Sequence, residues 1–397
     1  MDDMPVRFAK RISNTKASEI REILKITQDP EIISFAGGLP APELFPVDGI
    51  KKADAAVLDE SGMMALQYTT TEGYDPLRTW IADRLNRKNA TSMDKDNILI
   101  THGSQQALDI AGKVFLDEGD VVLCESPTYL AAITAFRSYG CRFVGIPTDD
   151  DGMIMSDLRK AIKENGNVKI IYVIPNFQNP TGRTWSLERR KELAKISSEN
   201  CIAVIEDDPY GEIRFAGEDI ISVQSFDPAG NVLSTGTFSK IFCPGFRIGW
   251  IAGDERIIKK FVLVKQGTDL QCNTFAQMTI SKYLEQNDID EHIGKIKETY
   301  RKRRDVAVRT MRETFPEGVR FTEPEGGLFA WVELPENINA RDVLMKCLER
   351  KVAFVPGGSF FPNGGHENTL RINFSNMPED RIVKGLRIMA DVIKGFV

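Results

Sequence analysis

The sequence predicts an α/β protein with a mostly parallel sheet in a large domain and a smaller α+β domain. Between Asn97 and Gly253, short apolar segments alternate with segments whose apolar residues recur at helical spacing. The apolar segments show no polar alternation, which is typical of parallel strands covered by helices on both faces. After Gly253 the chain has long helical stretches, and from Gly318 short strands return. The 397 residues also exceed what a single hydrophobic core usually supports.

The predicted elements of the first part follow one another in a regular order. The chain begins with a helix over ASEIREILK and an extended arm over IISFAGGLPAPELFP. The strands of the large sheet are NILIT, VVLCE, VKIIYVIP, CIAVIED, NVLSTG and RIGWIAG. Helices over SQQALDIAGKVFL, TYLAAITAFRSYG and SLERRKELAKISSEN separate the first four strands. We expect right-handed crossovers between the parallel strands.

The C-terminal part begins with a long helix that has one apolar stripe, formed by Ile289, Ile293, Ile296 and Tyr300. Strands over GVRFTEP, GLFAWVEL, AFVPG and TLRINFS, with a helix over ARDVLMKCLERK and a final helix, predict the smaller domain. The expected parts of the chain are a helix and arm packed on the small domain (1–45), the large domain (46–290) and the C-terminal small domain (291–397).

Composition and charge exclude several classes of function. The formal net charge is −6, so no overall positive field attracts nucleic acid or an anionic membrane. The first residues lack an apolar signal region, and no apolar run approaches the ~18 residues that span a bilayer. The six cysteines form no C-x-x-C pair and the three histidines lack ligand spacing, so we expect no disulfide framework and no metal site. We expect a cytoplasmic protein whose chemistry depends on other residues.

The segment STGTFSKIFCPGFRIGW carries the strongest chemical signal. Thr237, Ser239 and Lys240 lie at the end of a predicted strand, and Arg247 follows. Two hydroxyls and a guanidinium suit a phosphate dianion, because arginine binds it through two hydrogen bonds and the hydroxyls fill the remaining lone pairs. Lys240 lies in apolar and glycine-rich sequence, where burial or a nearby cation would lower its pKa from ~10.4 and allow imine formation. The alternative is a solvated surface lysine.

Other polar residues follow neighbouring strands, where α/β proteins bind ligands. Ser104 and Gln105 open a helix, whose free N–H groups favour a phosphate, although a serine there is also an ordinary N-cap. Asp207 ends CIAVIED, and its carboxylate suits a protonated pyridine nitrogen; the alternative is a turn residue. Asn179 precedes a proline in another turn-like segment. The side chains of Asn179 and Tyr210 can hydrogen-bond a phenolic oxygen.

One aromatic residue completes the candidate site. Tyr129, in ESPTYLAA, can stack on a flat ring or serve as a half-buried core aromatic.

The chain resembles the fold-type I pyridoxal-phosphate enzymes, the class I and II aminotransferases. The resemblance lies in segments that follow one another in order: ASEIREILK, FAGGLPAPELFP, LQYTTTEGYDPLR, GSQQALD, NPTG, EDDPY, FSK, AFVPGGSFF and NTLRINFS. The likeness is greatest to the group that handles 2-aminoadipate, kynurenine and aromatic amino acids. It covers nearly the whole chain, and the ordered set is far more specific than any single motif.

This resemblance implies a cofactor, pyridoxal 5′-phosphate, linked to Lys240 as a Schiff base. Lys240 then also moves the proton between the substrate Cα and the cofactor. The resemblance implies that Asp207 pairs with the pyridine nitrogen and that Tyr129 stacks on the ring. It implies that Asn179 and Tyr210 bind the 3′-oxygen. The residues implied around the phosphate are Ser104, Gln105, Thr237, Ser239, Arg247 and, from the neighbouring subunit of a homodimer with shared sites, Tyr68.

The resemblance also implies how substrates bind. Arg371, in LRINFS, corresponds to the arginine that binds the substrate α-carboxylate, and Gly37 and Gly38 correspond to a loop that closes over the substrate. The reaction would move an amino group between an L-amino acid of the 2-aminoadipate, aromatic or branched-chain type and a 2-oxo acid. We expect 2-oxoglutarate and glutamate as one pair.

Substrate choice and reaction type leave alternatives open. Arg21 corresponds to an arginine that meets a distal carboxylate; the alternative is an exposed helix arginine paired with Glu22 or Glu19. The same cofactor cradle could serve a lyase or a decarboxylase. The fold also occurs as the effector domain of transcription regulators, but only about 35 residues precede FAGGLP and the net charge is negative.

Overall fold

A computed structural model describes Ala9 and residues 29–397 of the chain. The helix predicted over ASEIREILK, with Arg21, lies outside these residues. The first described strand, β1 (Ile33–Ser34), belongs to the extended arm. The described residues form an eight-stranded sheet, a four-stranded sheet and a two-stranded pair, with helices packed around them.

The eight-stranded sheet is mostly parallel. Its strands are β2 (Ile98–Thr101), β3 (Val121–Ser126), β4 (Arg142–Asp149), β5 (Gly152–Met153), β6 (Val168–Val173), β7 (Ala203–Asp207), β8 (Val232–Thr237) and β9 (Gly249–Ala252). Their order across the sheet is β2-β9-β8-β7-β6-β3-β4-β5. β9 is antiparallel to both of its neighbours and β5 is antiparallel to β4, whereas the other pairings are parallel. Because β2 and β8 are each antiparallel to β9, their carboxyl ends reach the same edge.

Helices accompany this sheet along its length. They are α1 (Val47–Ala65), α2 (Asp75–Asn89), α3 (Gly103–Phe115), α4 (Leu130–Arg137), α5 (Met155–Glu164), α6 (Leu187–Asn200), α7 (Glu255–Gln266) and α8 (Thr274–Gln286). Every residue of β2 and β8 is buried, as expected for strands covered on both faces. Within the described part of the chain, none of the helices has the length and apolar character needed to traverse a bilayer.

The C-terminal part has its own sheet. The remaining helices and strands are α9 (Ile289–Thr314), β10 (Arg320–Phe321), β11 (Phe329–Glu333), α10 (Ala340–Glu349), β12 (Val352–Ala353), β13 (Val355–Pro356), β14 (Thr369–Asn373) and α11 (Glu379–Lys394). Strands β10-β11-β14-β13 form an antiparallel sheet in that order. β1 pairs in parallel with β12, so the described part of the arm packs on this C-terminal sheet region.

The predicted α/β architecture with a mostly parallel sheet is confirmed. The apolar stripe of α9 is also confirmed, because Ile289, Ile293, Ile296 and Tyr300 are all buried. The strand β4 was not predicted. Its segment contains a glycine and a proline, and it lies towards one side of the sheet with a mixture of buried and exposed residues. Such a strand lacks the continuous apolar run that identified the central ones.

Candidate active site

The candidate residues converge because four parallel strands end at one edge of the large sheet. β8, β7, β6 and β3 are consecutive neighbours in the sheet. Lys240 lies just after β8, Asp207 ends β7, Asn179 lies in the loop after β6, and Tyr129 follows β3. Since the carboxyl ends of parallel strands meet on the same side, the topology brings these four side chains to one place.

Asp207 is a buried carboxylate that neutral groups stabilise. Its side chain is 1% exposed. Tyr172 donates a hydrogen bond to Oδ2 at 2.7 Å, and Thr235 donates one to Oδ1 at 2.6 Å. Burial raises the pKa of Asp207 to about 6, although the hydrogen bonds from Thr235 and Tyr172 act in the opposite direction. A buried carboxylate whose described hydrogen-bond donors are hydroxyl groups is suited to pairing with a cationic ligand.

Lys240 is partly buried, and its Nζ donates a hydrogen bond to the carbonyl oxygen of Gly38 at 2.7 Å. Burial, together with the positive charges of Arg371 and Arg247, lowers the pKa of Lys240 to about 8. A lysine with this pKa has an appreciable neutral fraction near neutral pH, which nucleophilic attack on an aldehyde requires. Its environment therefore differs from that of a solvated surface lysine.

Arg371 lies within the same group of residues, although it is on β14 in the C-terminal sheet. It is 4% exposed and donates from Nη1 to Oδ1 of Asn179 at 2.8 Å and from Nη2 to the carbonyl oxygen of Ala36 at 2.6 Å. Both acceptors are neutral, and the buried Nε has no hydrogen-bond partner in the described structure. Burial lowers the pKa of Arg371 to about 10. A buried guanidinium with an unused N–H group is suited to binding a carboxylate.

Aromatic rings surround this guanidinium. The ring centres of Phe329 and Phe360 lie 4.1 and 5.0 Å from Cζ of Arg371. Tyr210 packs edge-to-face on Phe329, with ring centroids 5.9 Å apart. At Gly38 a Cβ atom would come within 3.2 Å of the Phe329 ring, so glycine allows the arm to lie close to it.

Two tyrosine hydroxyls lie in the same electrostatic environment. Burial raises the pKa of Tyr129 to about 12, with Asp207 contributing in the same direction. Burial also raises the pKa of Tyr210 well above its usual range, whereas its hydrogen bond with Asn179 lowers it. Both hydroxyls therefore remain protonated near neutral pH and can donate hydrogen bonds. Tyr129 lies immediately before α4 and is half-buried.

The other end of the site is built around Gly103, the first residue of α3. Gly103 has φ of +68°, and a Cβ atom there would lie 2.7 Å from Nη2 of Arg247. The φ value favours glycine, because other residues rarely adopt it, and an added Cβ would displace the guanidinium of Arg247. Arg247 lies two residues before β9, and its side chain is exposed beside the first turn of α3. The arrangement combines free helix N–H groups with an arginine, which favours an anion.

The predicted hydroxyl and amide groups lie around this turn with different exposures. Thr237 and Ser239 are buried, and Thr237 donates a hydrogen bond to Oγ of Ser239 at 2.9 Å. Ser104 is half-buried in the first turn of α3. Gln105 is exposed and donates to the carbonyl oxygen of Ala131 at 3.3 Å.

One predicted residue that the structure describes is not brought into this chain's own site. Tyr68 is 78% exposed, in the segment between α1 and α2. Arg21 lies outside the described residues. Gly37, by contrast, is buried in the arm next to Gly38.

Sequence reasoning missed several residues that support the site. Tyr172 and Thr235 hold Asp207, and the rings of Phe329 and Phe360 flank Arg371. A partial signal was present, because Tyr172 and Thr235 are hydroxyl-bearing residues inside otherwise buried strands. Their partner could not be read from the sequence, since each hydrogen bond joins residues on two different strands.

The donor set fits pyridoxal 5′-phosphate at each of its polar groups. A buried carboxylate, Asp207, is available for a protonated ring nitrogen, and the lowered pKa of Lys240 suits imine formation with an aldehyde. The turn at Gly103, whose space a Cβ would fill, and Arg247 suit a phosphate. The orphaned Nε of Arg371 leaves a donor for a substrate carboxylate.

The fold and this site together define the class of protein. A large, mostly parallel sheet with a lysine and an aspartate at its carboxyl edge is the architecture of fold-type I pyridoxal-phosphate enzymes. The solved structure of Pyrococcus horikoshii kynurenine aminotransferase, a complex with PMP, superposes with a TM-score of 0.94. It has 42% sequence identity, and the match covers 98% of this chain and 97% of that one.

Sequence comparison gives the family. The model of aminotransferase class I and II matches residues 37–388, so the chain belongs to this family and is a pyridoxal 5′-phosphate-dependent aminotransferase. Aromatic-amino-acid aminotransferase 1 of Thermococcus litoralis is 45% identical over 391 residues, covering 98% of this chain and 94% of the relative. The 2-aminoadipate transaminase of Thermus thermophilus is 41% identical over 393 residues, covering 98% and 97%.

Proposed function

We propose that this aminotransferase holds its cofactor on Lys240 and moves an amino group between an aromatic or 2-aminoadipate-type L-amino acid and a 2-oxo acid, with 2-oxoglutarate and glutamate as one pair. The observation that carries the proposal is the environment of Lys240. Its amine lies at the edge where Asp207, Asn179 and Tyr129 converge, and burial lowers its pKa to about 8.

The cofactor, when bound, supplies an electron-withdrawing ring that acidifies the Cα–H bond of an amino acid attached to it. Asp207 would pair with the ring nitrogen, and Lys240 would hold the cofactor. The neutral fraction of the Lys240 amine would take up the substrate Cα proton and return it. Asn179 and Tyr210 would hold the ring oxygen, and Tyr129 would pack beside the ring.

Arg371 orients the substrate in this proposal. Its unpaired Nε and the adjacent Nη face a substrate α-carboxylate, while Asn179 and the Ala36 carbonyl hold the guanidinium in place. Fixing the carboxylate selects the rotamer in which the Cα–H bond can face Lys240, which is catalysis by orientation. Gly38 gives the arm the close approach to Phe329 that covering the substrate requires.

The substrate class is proposed from two kinds of support. The relatives described above act, by name, on aromatic amino acids and on 2-aminoadipate. Arg21, which lies outside the described residues, is the proposed partner of a distal carboxylate. The alternatives of a lyase, a decarboxylase or a regulator effector domain are not favoured, because the relatives that match almost the whole chain at above 40% identity are aminotransferases.

A donor panel with a matched variant tests this proposal. Each of 2-aminoadipate, kynurenine, leucine and phenylalanine is mixed with the cofactor-loaded enzyme. The formation of the amine form of the cofactor and the formation of the corresponding 2-oxo acid are both measured. We expect Arg21→Ala to slow 2-aminoadipate selectively and to leave phenylalanine unchanged. Release of free ammonia or carbon dioxide, without formation of the amine form, would instead support a lyase or a decarboxylase.

We also propose a homodimer with shared sites. Exposed apolar side chains cluster in sequence around the end of α1: Met63 is 93% exposed, Leu66 75% and Tyr68 78%. Thr69 and Gln271 are hydrogen-bonded, which brings the exposed Leu270 near this segment. A patch of this kind typically marks a protein interface. Tyr68 would then reach the phosphate site of the neighbouring subunit.

A complementation experiment tests the shared sites. Lys240→Ala removes the lysine from a subunit's own site. Tyr68→Ala removes the tyrosine that we assign to the site of the neighbouring subunit. Mixing the two inactive or weakened variants under conditions of subunit exchange should create dimers with one intact site, so activity should rise. Activity that stays at the sum of the separate variants would contradict the sharing.

The domain division and the location also belong to the proposal. The strands of the large sheet lie within residues 98–252, and those of the C-terminal sheet lie within residues 320–373. This separation supports a large domain over residues 46–290 and a small domain over residues 291–397. Six unpaired cysteines, five of them buried, support a cytoplasmic location.

A further inference from the structure

A buried charged cluster lies next to the first turn of α3, outside the residues assigned to catalysis so far. The side chain of Lys265, near the end of α7, is 0% exposed. Its Nζ donates to Oδ1 of Asp269 at 2.7 Å and to Oε1 of Gln106 at 3.2 Å. Gln106 in turn donates from Nε2 to Oδ2 of Asp269 at 2.6 Å. Burying an ammonium group is costly unless it is paired in this way, so the three side chains form one unit.

This unit holds the residue that precedes Gly103. The backbone N–H of His102 donates to Oε1 of Gln106 at 2.8 Å, and Nε2 of His102 lies 3.2 Å from Oδ2 of Asp269. The His102 carbonyl also accepts a hydrogen bond of 3.5 Å from Nη2 of Arg247. Both the main chain and the side chain of His102 are therefore fixed on one side of the turn, while Arg247 contacts the other.

The cluster is better explained by a protein cation than by a metal ion. The ligand atoms of His102, Asp269 and Cys272 lie within 4.8 Å of one another, a grouping that the sequence spacing did not reveal. However, the Lys265 ammonium already pairs with Asp269, and its positive charge helps to lower the pKa of His102, after the larger effect of burial. A second cation at the same carboxylate would be repelled.

We propose that Lys265, Asp269 and Gln106 are positioning residues for the cofactor phosphate. They lock the His102–Gly103 turn in its left-handed conformation and so keep the N–H groups of the first turn of α3, together with Arg247, directed at a phosphate dianion. The inference rests on the proposed cofactor site. It adds Gln106 and Asp269, which contact His102 directly, and Lys265, which acts through them. None of the three has a place in the catalytic machinery described above.

The comparison of two cofactor forms separates phosphate positioning from general support of the fold. Pyridoxal has the same ring and aldehyde as pyridoxal 5′-phosphate but lacks the phosphate. Apoenzyme dissociation constants for both compounds are measured for Asp269→Asn, Lys265→Met and the double variant Lys265→Met/Asp269→Asn. The double variant leaves no unpaired buried charge and is therefore the variant most certain to fold. Lys259→Met is the control, since Lys259 forms an i,i+4 pair with Glu255 on the exposed face of the same helix.

We expect the three cluster variants to bind pyridoxal 5′-phosphate roughly tenfold more weakly, by analogy with the loss of affinity when the hydrogen-bond partners of metal ligands are removed. Binding of pyridoxal should stay within about twofold of wild type, and Lys259→Met should change neither constant. Equal weakening of both compounds, or no weakening of either by the double variant, would overturn the positioning role. A wild-type enzyme that fails to prefer the phosphorylated compound would instead contradict the proposed cofactor site itself.

Discussion

The two hydroxyl donors of Asp207 oppose the effect of burial on the pKa of the carboxylate on which the chemistry depends. Tyr172→Phe removes a hydrogen bond of 2.7 Å and keeps the ring, whereas Thr235→Val removes one of 2.6 Å at similar volume. A hydrogen bond to a charged group contributes about 1.5–3 kcal/mol, and one pKa unit corresponds to ~1.36 kcal/mol. Each substitution should therefore raise the pKa of Asp207 by roughly one to two units. Starting from about 6, the carboxyl of the variants would titrate close to neutral pH.

The assay is the affinity of the apoenzyme for pyridoxamine 5′-phosphate, which cannot form a covalent link to Lys240. Asp207 pairs with the protonated ring nitrogen only when it is ionised, so affinity is lost as the pH falls through the pKa of its carboxyl. In wild type this loss begins near pH 6, because the pKa is about 6. In Tyr172→Phe the loss should begin roughly one unit higher. Near pH 6 the variant should bind about tenfold more weakly, with a smaller difference in alkaline solution.

The chain offers a matched control for this experiment. Tyr139 donates a hydrogen bond of the same length, 2.7 Å, to Oδ1 of Asp109 on α3, away from the site. Tyr139→Phe should give a binding curve that superimposes on wild type across the pH range. If Tyr172→Phe also superimposed on wild type, the hydroxyl donors would not control the charge of Asp207, and the reasoning would be wrong.

Further expectations concern the other functional groups. Arg371→Lys should lower kcat/KM by roughly ten- to hundredfold, because lysine cannot replace the paired hydrogen bonds of the guanidinium group. Steady-state kinetics with a saturating 2-oxo acid would measure this ratio, and an unchanged value would exclude the binding of a substrate carboxylate by Arg371. Gly103→Ala should weaken cofactor binding about tenfold or more, because an alanine would have to adopt φ of +68° and its Cβ would displace Arg247. Equilibrium dialysis measures the affinity, and unaltered binding would argue against a phosphate at that turn. The rate of cofactor reconstitution should rise with pH and level off above the Lys240 pKa of about 8, because only the neutral amine attacks an aldehyde; a flat stopped-flow profile would contradict this.

Much of the fold could be predicted because its signals are local. The central strands are continuous apolar runs, and the functional residues lie at or shortly after their ends, as Asp207 and Lys240 do. The apolar stripe of α9 could be read from its spacing for the same reason. Strand β4 gave no such signal, since its buried and exposed residues follow neither a continuous nor an alternating pattern.

The rest of the site depends on contacts between distant parts of the chain. Asp207 and Thr235 are opposite each other in the register of β7 and β8, and no local pattern states that register. Arg371 and Asn179 are 192 residues apart, yet they share a hydrogen bond of 2.8 Å. The cluster of Lys265, Asp269 and Gln106 likewise joins α7 to α3 and became visible only after folding. Local sequence identified the reacting groups, whereas tertiary structure determined how they are held.

Reduction of the loaded enzyme with borohydride, followed by peptide mapping, tests the central claim most directly. Borohydride converts the imine between a lysine and the cofactor into a stable amine, so the modified residue can be located by mass spectrometry. We predict that the cofactor mass is found on the peptide containing Lys240 and disappears in Lys240→Ala. Modification of a different lysine, or enzyme from which no cofactor can be trapped, would contradict the account.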